Sequence, residues 1–272
     1  MPHLSPAIRA FDAIAPHFDE RFSNWKSVDA QRRAVRGALL EAFPEGARLI
    51  ELGGGTGEDA LFLAERGRRV LVTDGAPAMV ARAAEKAGAA GLLDRVAAER
   101  VSLEELDSWA SARAGTFFDG AFSNFASLNC VTDHASVAHG LARLLPPGRR
   151  ALLVVFGPFC PIEILVLLAR GETRAAFRRF ARFPAPARVG DEIFTVTYHS
   201  PKTLAGAFAP WFRLRRVLGG AGRHENPHAE PAVSRFPRLL RALEALDRLV
   251  ARPLALLGDH VLCDFERTAV PP

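Results

Sequence analysis

Apolar and polar positions alternate along this chain with two periods, and the alternation predicts the architecture. Short apolar runs of strand length occupy residues 47–52, 69–73, 96–101, 117–123 and 151–156, the third being the weakest and the last apolar almost throughout. Between them, residues 59–66, 77–87, 103–112 and 135–145 carry apolar side chains at the three-and-four spacing of amphipathic helices. Pro77 falls in the first turn of its helix, where a fixed φ and a missing donor cost nothing. Strands alternating with helices imply a parallel sheet joined by right-handed crossovers, with helices on both faces.

The rhythm breaks after residue 156. Residues 158–190 read as one or two helices, 162–169 and then 173–183, the second carrying Arg174, Arg178, Arg179 and Arg182. Residues 194–199 alternate like a strand, 201–208 like a helix and 212–218 like a sixth strand of the sheet. A loop rich in Gly, Pro and His (219–231) leads to an amphipathic helix at 239–250 and a final strand at 261–266. Ahead of the first strand, Phe11, Ile14, Ala15 and Phe18 form one apolar helical face, and residues 28–42 form a second helix bearing Arg32, Arg33 and Arg36.

The first strand ends in an acid and breaks into glycines: Glu51-Leu52-Gly53-Gly54-Gly55-Thr56-Gly57-Glu58-Asp59. A strand, a glycine turn and a helix start present backbone N–H groups to a ligand, and a Cβ in the turn would block its approach. The spacing is G-x-G-x-G. A dinucleotide fingerprint would need glycine where Glu58 stands, and that carboxylate would occupy the place of a pyrophosphate. A ligand without phosphates fits better. The next strand ends in Asp74, 17 residues after Gly57, where a carboxylate can accept both hydroxyls of a ribose.

Glu51, the glycine turn and Asp74 together resemble motif I of the class I S-adenosylmethionine-dependent methyltransferases, and the resemblance covers residues 11–156. It implies an α/β fold: a doubly wound, seven-stranded, Rossmann-like sheet whose last strand is antiparallel. It divides the chain into an N-terminal helical lid (1–46), a core (47–157 and 193–272), a helical cap insertion (158–192) and a second insertion (221–258). In such a family Glu51 orients the methionine amino group and Asp74 holds the ribose. Gly53, Gly55, Gly75 and Met79 flank the cofactor. Phe18 stands in the lid where a tyrosine is common, although the same segment could be a plain helix packed on the sheet. The third strand lacks the acid that faces adenine in many relatives, so Val101 and Ser102 take that position. The segment from Phe118 to Cys130 resembles motif IV, which makes Asn124 and Phe125 cofactor contacts and turns Ser127 and Asn129 toward the substrate, or leaves them as turn residues. Cys160, Glu163 and Tyr198 are further substrate-pocket candidates. The implied cofactor is S-adenosylmethionine, released as S-adenosylhomocysteine, and the implied acceptor is an O or N of a small molecule such as a secondary metabolite.

Composition alters little of this. With 272 residues, 49% apolar and 24% charged, the chain suits one α/β domain with insertions. The charge of +5 is carried almost wholly by arginine, a bias of coding composition more than of nucleic-acid binding. Motif IV also lacks the Pro-Pro sequence used on exocyclic amines of DNA bases, which makes nucleic acid an unlikely partner; methylation of RNA or protein and cofactor binding without catalysis are the alternatives. No apolar run is long enough to span a bilayer. No secretory pattern opens the sequence, and Cys130, Cys160 and Cys263 have no metal spacing, so a cytoplasmic protein without a metal is expected, as monomer or homodimer. The sequence nominates no single base. His17, His134 and His199 are candidates, with His260 near the start of the last strand.

Overall fold

The computed structural model describes residues 4–23, 25–180, 184–219 and 259–272. The main sheet holds seven strands in the order β3-β2-β1-β4-β5-β9-β8. These are β1 (Arg48–Leu52), β2 (Arg69–Asp74), β3 (Val96–Arg100), β4 (Gly120–Ser123), β5 (Arg150–Phe156), β8 (Phe212–Gly219) and β9 (His260–Arg267). β1 to β5 run parallel, and β9 lies antiparallel between β5 and β8. The doubly wound α/β fold read from the sequence is therefore present, and its last strand is reversed as expected.

Period-two alternation builds the two faces. In β5, Ala151, Leu153 and Val155 point into one apolar layer with Leu141 and Phe265, while Leu152 and Val154 point into the other with Leu39 and Leu63. Crossover helices cover both faces: α3 (Lys26–Ala42), α4 (Glu58–Ala64), α5 (Pro77–Ala89), α6 (Leu106–Ser111), α7 (His134–Leu144) and α10 (Pro201–Phe208). Each leucine or valine fully buried in these layers contributes about 1.5–3 kcal/mol.

The region after β5 departs from the helical reading. α8 (Pro161–Ala169) forms where expected, but the next helix is a single turn, α9 (Thr173–Ala176), followed by a 3-10 turn at Arg178–Phe180. Residues 185–196 make an antiparallel hairpin, β6 (Ala185–Val189) and β7 (Glu192–Val196), outside the main sheet. Pro186 pushes Ala185 before it out of the helical region. Gly190, at φ +58, and Asp191 close a two-residue turn. So 158–192 is not purely helical, and the strand-like stretch near 194–199 pairs with β6 instead of joining the core. The predicted helix at 239–250 and the insertion at 221–258 lie outside the described residues.

The N-terminal segment spans the carboxyl edge of the sheet as α1 (Pro6–Ile14), a 3-10 turn (Ala15–His17) and α2 (Phe18–Ser23). Ala10 and Phe11 pack against Ala185, Phe194 and Val196 of the hairpin. Asp12 accepts from Ala78 N at 2.7 Å, capping α5, whose own N-cap residue Ala76 offers no side chain. Asp19 accepts from Thr56 Oγ1 at 2.6 Å and pairs with Lys86 at 2.9 Å. The N-terminal segment and the hairpin thus form one roof over the strand ends.

Candidate active site

Beneath that roof lies a mainly apolar cleft of about 500 Å³, bounded by the glycine turn, the ends of β2 to β5, the start of β9, α1, α3 and the hairpin. Its location follows the rule for open α/β sheets, in which ligands bind at the carboxyl ends of the strands. Because β9 runs backwards, its first residues lie at this same edge: His260 pairs with Phe156, the last residue of β5.

One half of the cleft is built by backbone. Gly53 and Gly55 stand at φ +59 and +55, and a Cβ on Gly53 would lie 2.4 Å from Ser127 Cβ. Glu51 is buried directly under the turn, so that a Cβ on Gly54 would lie 2.8 Å from its Oε2. That oxygen has no hydrogen-bond partner among the described residues. Burial, then the nearby carboxylates of Asp59 and Asp74, pushes the Glu51 carboxyl well above its usual range, against the opposing pull of Arg36 and Arg32. Asp74 accepts from Gly55 N at 2.9 Å and Ala76 N at 2.8 Å. Burial raises its pKa, and these backbone donors partly offset the rise. Each of its oxygens keeps a lone pair for a further donor.

After β4, Phe125 and Ala126 sit at φ +53 and +62, a left-handed pair that costs energy at non-glycine residues. Asn124 fixes this bend: its Oδ1 accepts from Phe125 N at 2.8 Å, and its Nδ2 donates to Asp59 at 2.8 Å. Gln31 Nε2 reaches the same Oδ1 at 3.4 Å, and Arg36 Nε binds Asp59 at 2.6 Å. The Arg32 guanidinium sits 5.1 Å from the centre of the Phe125 ring.

The other half is aromatic and ionic. The rings of Phe125 and Phe156 lie 6.2 and 4.7 Å from His260, and Tyr198 lies 6.2 Å from Phe156. Arg179 is buried between Glu163 and Asp259 and also donates to Gly157 O at 2.9 Å. Its charge lies 4.8 Å from the Tyr198 ring, and Arg178 pairs with Glu163 and donates to Tyr198 OH at 3.3 Å. Cys160, Glu163 and Asp259 bring ligand-type atoms within 4.8 Å of one another. The guanidiniums of Arg178 and Arg179 already neutralise the two carboxylates, and burial raises the Cys160 thiol to about 12, so this cluster is an ion-pair network.

Among the residues singled out from sequence, Phe18, Gly53, Gly55, Asp74, Gly75, Met79, Val101, Ser102, Asn124, Phe125, Ser127 and Tyr198 line the cleft. Glu51 lies beneath it. Asn129 instead joins the hairpin exit to β5, donating to Thr197 O at 2.6 Å and accepting from Phe156 N at 2.9 Å. Cys160 and Glu163 are buried behind the wall. Of the histidines, His17 is 82% exposed beside Glu20. His134 is buried against Leu128 O at 3.0 Å, and His199 meets it edge to face with ring centres 4.3 Å apart. His260 lines the cleft. At the third-strand end, Ser102 is occupied in a capping box with Glu105, while Glu104 faces the cleft. Sequence reasoning also passed over Gln31, Arg32, Phe156 and Asp259, which lie on separate elements.

Residues 49–148 match the family described as "Methyltransferase domain". Over these residues the chain carries a methyltransferase domain. It is 36% identical over 130 residues to the "S-adenosyl-L-methionine-dependent Diels-Alderase iccD" of Talaromyces variabilis, covering 47% of this chain and 42% of that protein. It is 27% identical over 151 residues to the "tRNA 5-carboxymethoxyuridine methyltransferase" of Escherichia coli, covering 52% of this chain and 53% of that one. The chain thus spans about half the length of the curated relatives it matches. Among solved structures, the CcbJ methyltransferase of Streptomyces caelestis superposes with a TM-score of 0.60 at 16% identity, covering 94% of this chain and 96% of that one. The [4+2]-cyclase SpnF gives a TM-score of 0.55 at 17% identity, covering 87% and 81%. These last two likenesses show the fold.

The cofactor of this domain family is S-adenosylmethionine, and the cleft fits it on its own terms. Gly53 and Gly55 line the cleft with bare backbone at positive φ, and Glu51 beneath them offers a buried carboxyl oxygen with no internal donor. Asp74 keeps acceptor capacity at the end of β2.

Proposed function

We propose that the protein transfers a methyl group to an oxygen or nitrogen of a small molecule, a secondary metabolite, held in the aromatic half of the cleft. The unpartnered Glu51 carboxyl beneath the glycine turn carries this reading: a buried acid that burial keeps protonated, with no internal donor, suits a ligand ammonium against which it can ionise. Asp74 would take the ribose hydroxyls, Gly53 and Gly55 the methionine chain, and Met79 with Gly75 the sugar's flank. Backbone at Val101 and Ser102, with Glu104 nearby, would face adenine. Asn124 and Phe125 would meet the reactive end, and Phe18 would close the lid. Bound there, S-adenosylmethionine supplies an electrophilic methyl on a sulfonium. The chain's own part is to fix two reactants in line and exclude water, which lowers the barrier mainly through positioning.

Small-molecule acceptors are favoured by the roof that α1 and the hairpin place over the cleft. Two of the similar proteins are named for cyclisation, and pericyclic catalysis in the same aromatic chamber is the second reading. The tRNA enzyme among the relatives supports RNA as acceptor, which predicts steep salt dependence. No helix among the described residues is long and apolar enough to cross a membrane. We place the protein in the cytoplasm, where its three unpaired cysteines would stay reduced, as a monomer or homodimer. Incubation with methyl-labelled S-adenosylmethionine and a panel of hydroxylated and amino natural products tests the assignment. Label in a small molecule supports methyl transfer. Product without label supports cyclisation, and label only in added RNA replaces the acceptor class.

A further inference from the structure

The aromatic half of the cleft pairs a neutral imidazole with three ring walls, and no motif in the sequence called for that combination. His260 is 6% exposed, and its Nδ1 lies 3.6 Å from Asp259 Oδ2. Burial holds its pKa below the usual value; Asp259 works against that shift and Arg179 with it. At neutral pH the ring is therefore uncharged. An imidazolium formed there would gain the adjacent Asp259 carboxylate, whose other oxygen is held by Arg179, itself held by Glu163. Arg178 and Tyr198 lie on the same side among the described residues. Phe125 and Phe156 set rings against the histidine and Tyr198 lies beside Phe156, a lining that suits a flat aromatic ligand.

We propose that the acceptor is an aromatic hydroxyl compound and that His260 takes its proton. This rests on the methyl-transfer reading. As the phenol O–H bond breaks, the proton passes to an imidazole nitrogen of His260. The oxygen's electron pair forms the new bond to the methyl carbon, whose bond to sulfur breaks and leaves a neutral thioether. The charge balance is one cation consumed, the sulfonium, and one formed, the imidazolium beside Asp259. His260 is the catalytic residue, and Asp259 is a positioning residue that stabilises its protonated form.

The test needs no turnover. The protein saturated with S-adenosylhomocysteine is titrated with 4-nitrophenol, whose phenolate absorbs apart from the neutral phenol, at about one pH unit below the probe's own pKa. The expected result is a bound probe that is mainly phenolate in the wild type. In His260→Gln the phenolate fraction falls about tenfold while S-adenosylhomocysteine affinity is kept, as one lost pKa unit of proton affinity requires. In Asp259→Asn the phenolate appears only at higher pH. Should a variant fail to fold, the wild-type His260 NMR resonances serve: they move to the imidazolium position as the probe binds. A probe that stays neutral, does not bind, or ionises equally in His260→Gln overturns the proposal. Failure of the wild type to bind S-adenosylhomocysteine overturns the methyl-transfer reading instead.

Discussion

Two buried glutamates on opposite sides of the cleft are treated in opposite ways. Glu51 and Glu163 are 2% and 1% exposed. Glu163 is paired with Arg178 and Arg179, and Asp259 shares Arg179. Glu51 has Oε2 unpartnered and two other carboxylates nearby. The first arrangement satisfies its charge internally and tethers the 3-10 turn of the cap to the start of β9. The second leaves a protonated acid for a ligand to ionise and satisfy. A fold tolerates such unpaired burial at a site whose ligand compensates for it, so the contrast separates scaffold from binding site.

Removing Arg179 should show the largest effect. Arg179→Ala leaves the buried Asp259 without its cation and Glu163 with Arg178 alone, and urea denaturation is expected to show a loss of about 3–5 kcal/mol. Glu51→Gln should do the reverse. A carboxyl whose folded pKa is raised holds its proton in the native state, so stability is full at acidic pH and declines as pH rises through that raised value. The glutamine variant should lose this decline, giving a higher ligand-free Tm at pH 8, while binding S-adenosylhomocysteine at least tenfold more weakly, as loss of a charged hydrogen bond of about 1.5 kcal/mol implies. An unchanged affinity would make Glu51 a structural residue and remove the contrast.

Acid should expose the histidines. Burial lowers His134, His199 (to about 4) and His260. The unfolded chain then binds protons that the native state refuses, so stability falls as pH drops from about 6.5 toward 4. His199→Phe, which keeps a ring against His134, should flatten that slope in urea titrations across the same range. The smallest effect belongs to the lid. Asp12→Ala removes the borrowed cap of α5 and is expected to cost about 0.5–2 kcal/mol, with faster proteolysis ahead of α3.

The two halves were also unequally legible in the sequence. The glycine-turn half is local: Glu51 to Gly57 is one strand and turn, and Asp74 ends the next strand, so spacing and the motif resemblance bring them to one edge. The β-α alternation predicts the sheet for the same reason. The aromatic half depends on contacts far apart in the chain. Arg179 meets Asp259 across 80 positions, and Asn129 meets Thr197 across 68, distances over which no periodicity speaks. Hence Asn129, Cys160 and Glu163, expected near substrate, sit behind the wall, and His17, His134 and His199 lie away from the cleft. The hairpin carried a readable signal in Gly190-Asp191 between alternating apolar runs, which the arginine-rich helical pattern before it obscured. The bend at Phe125 and Ala126 carried none, because a left-handed pair without glycine is imposed by its surroundings, here Asn124 and Asp59.

The central claim is that the glycine turn with Asp74 holds S-adenosylmethionine, and calorimetric titration with S-adenosylhomocysteine tests it most directly. The wild type should bind one equivalent, and Asp74→Ala should bind at least tenfold more weakly, since loss of charged hydrogen bonds to a ribose costs about 1.5–3 kcal/mol. No binding by the wild type, or equal binding by Asp74→Ala, would contradict the account.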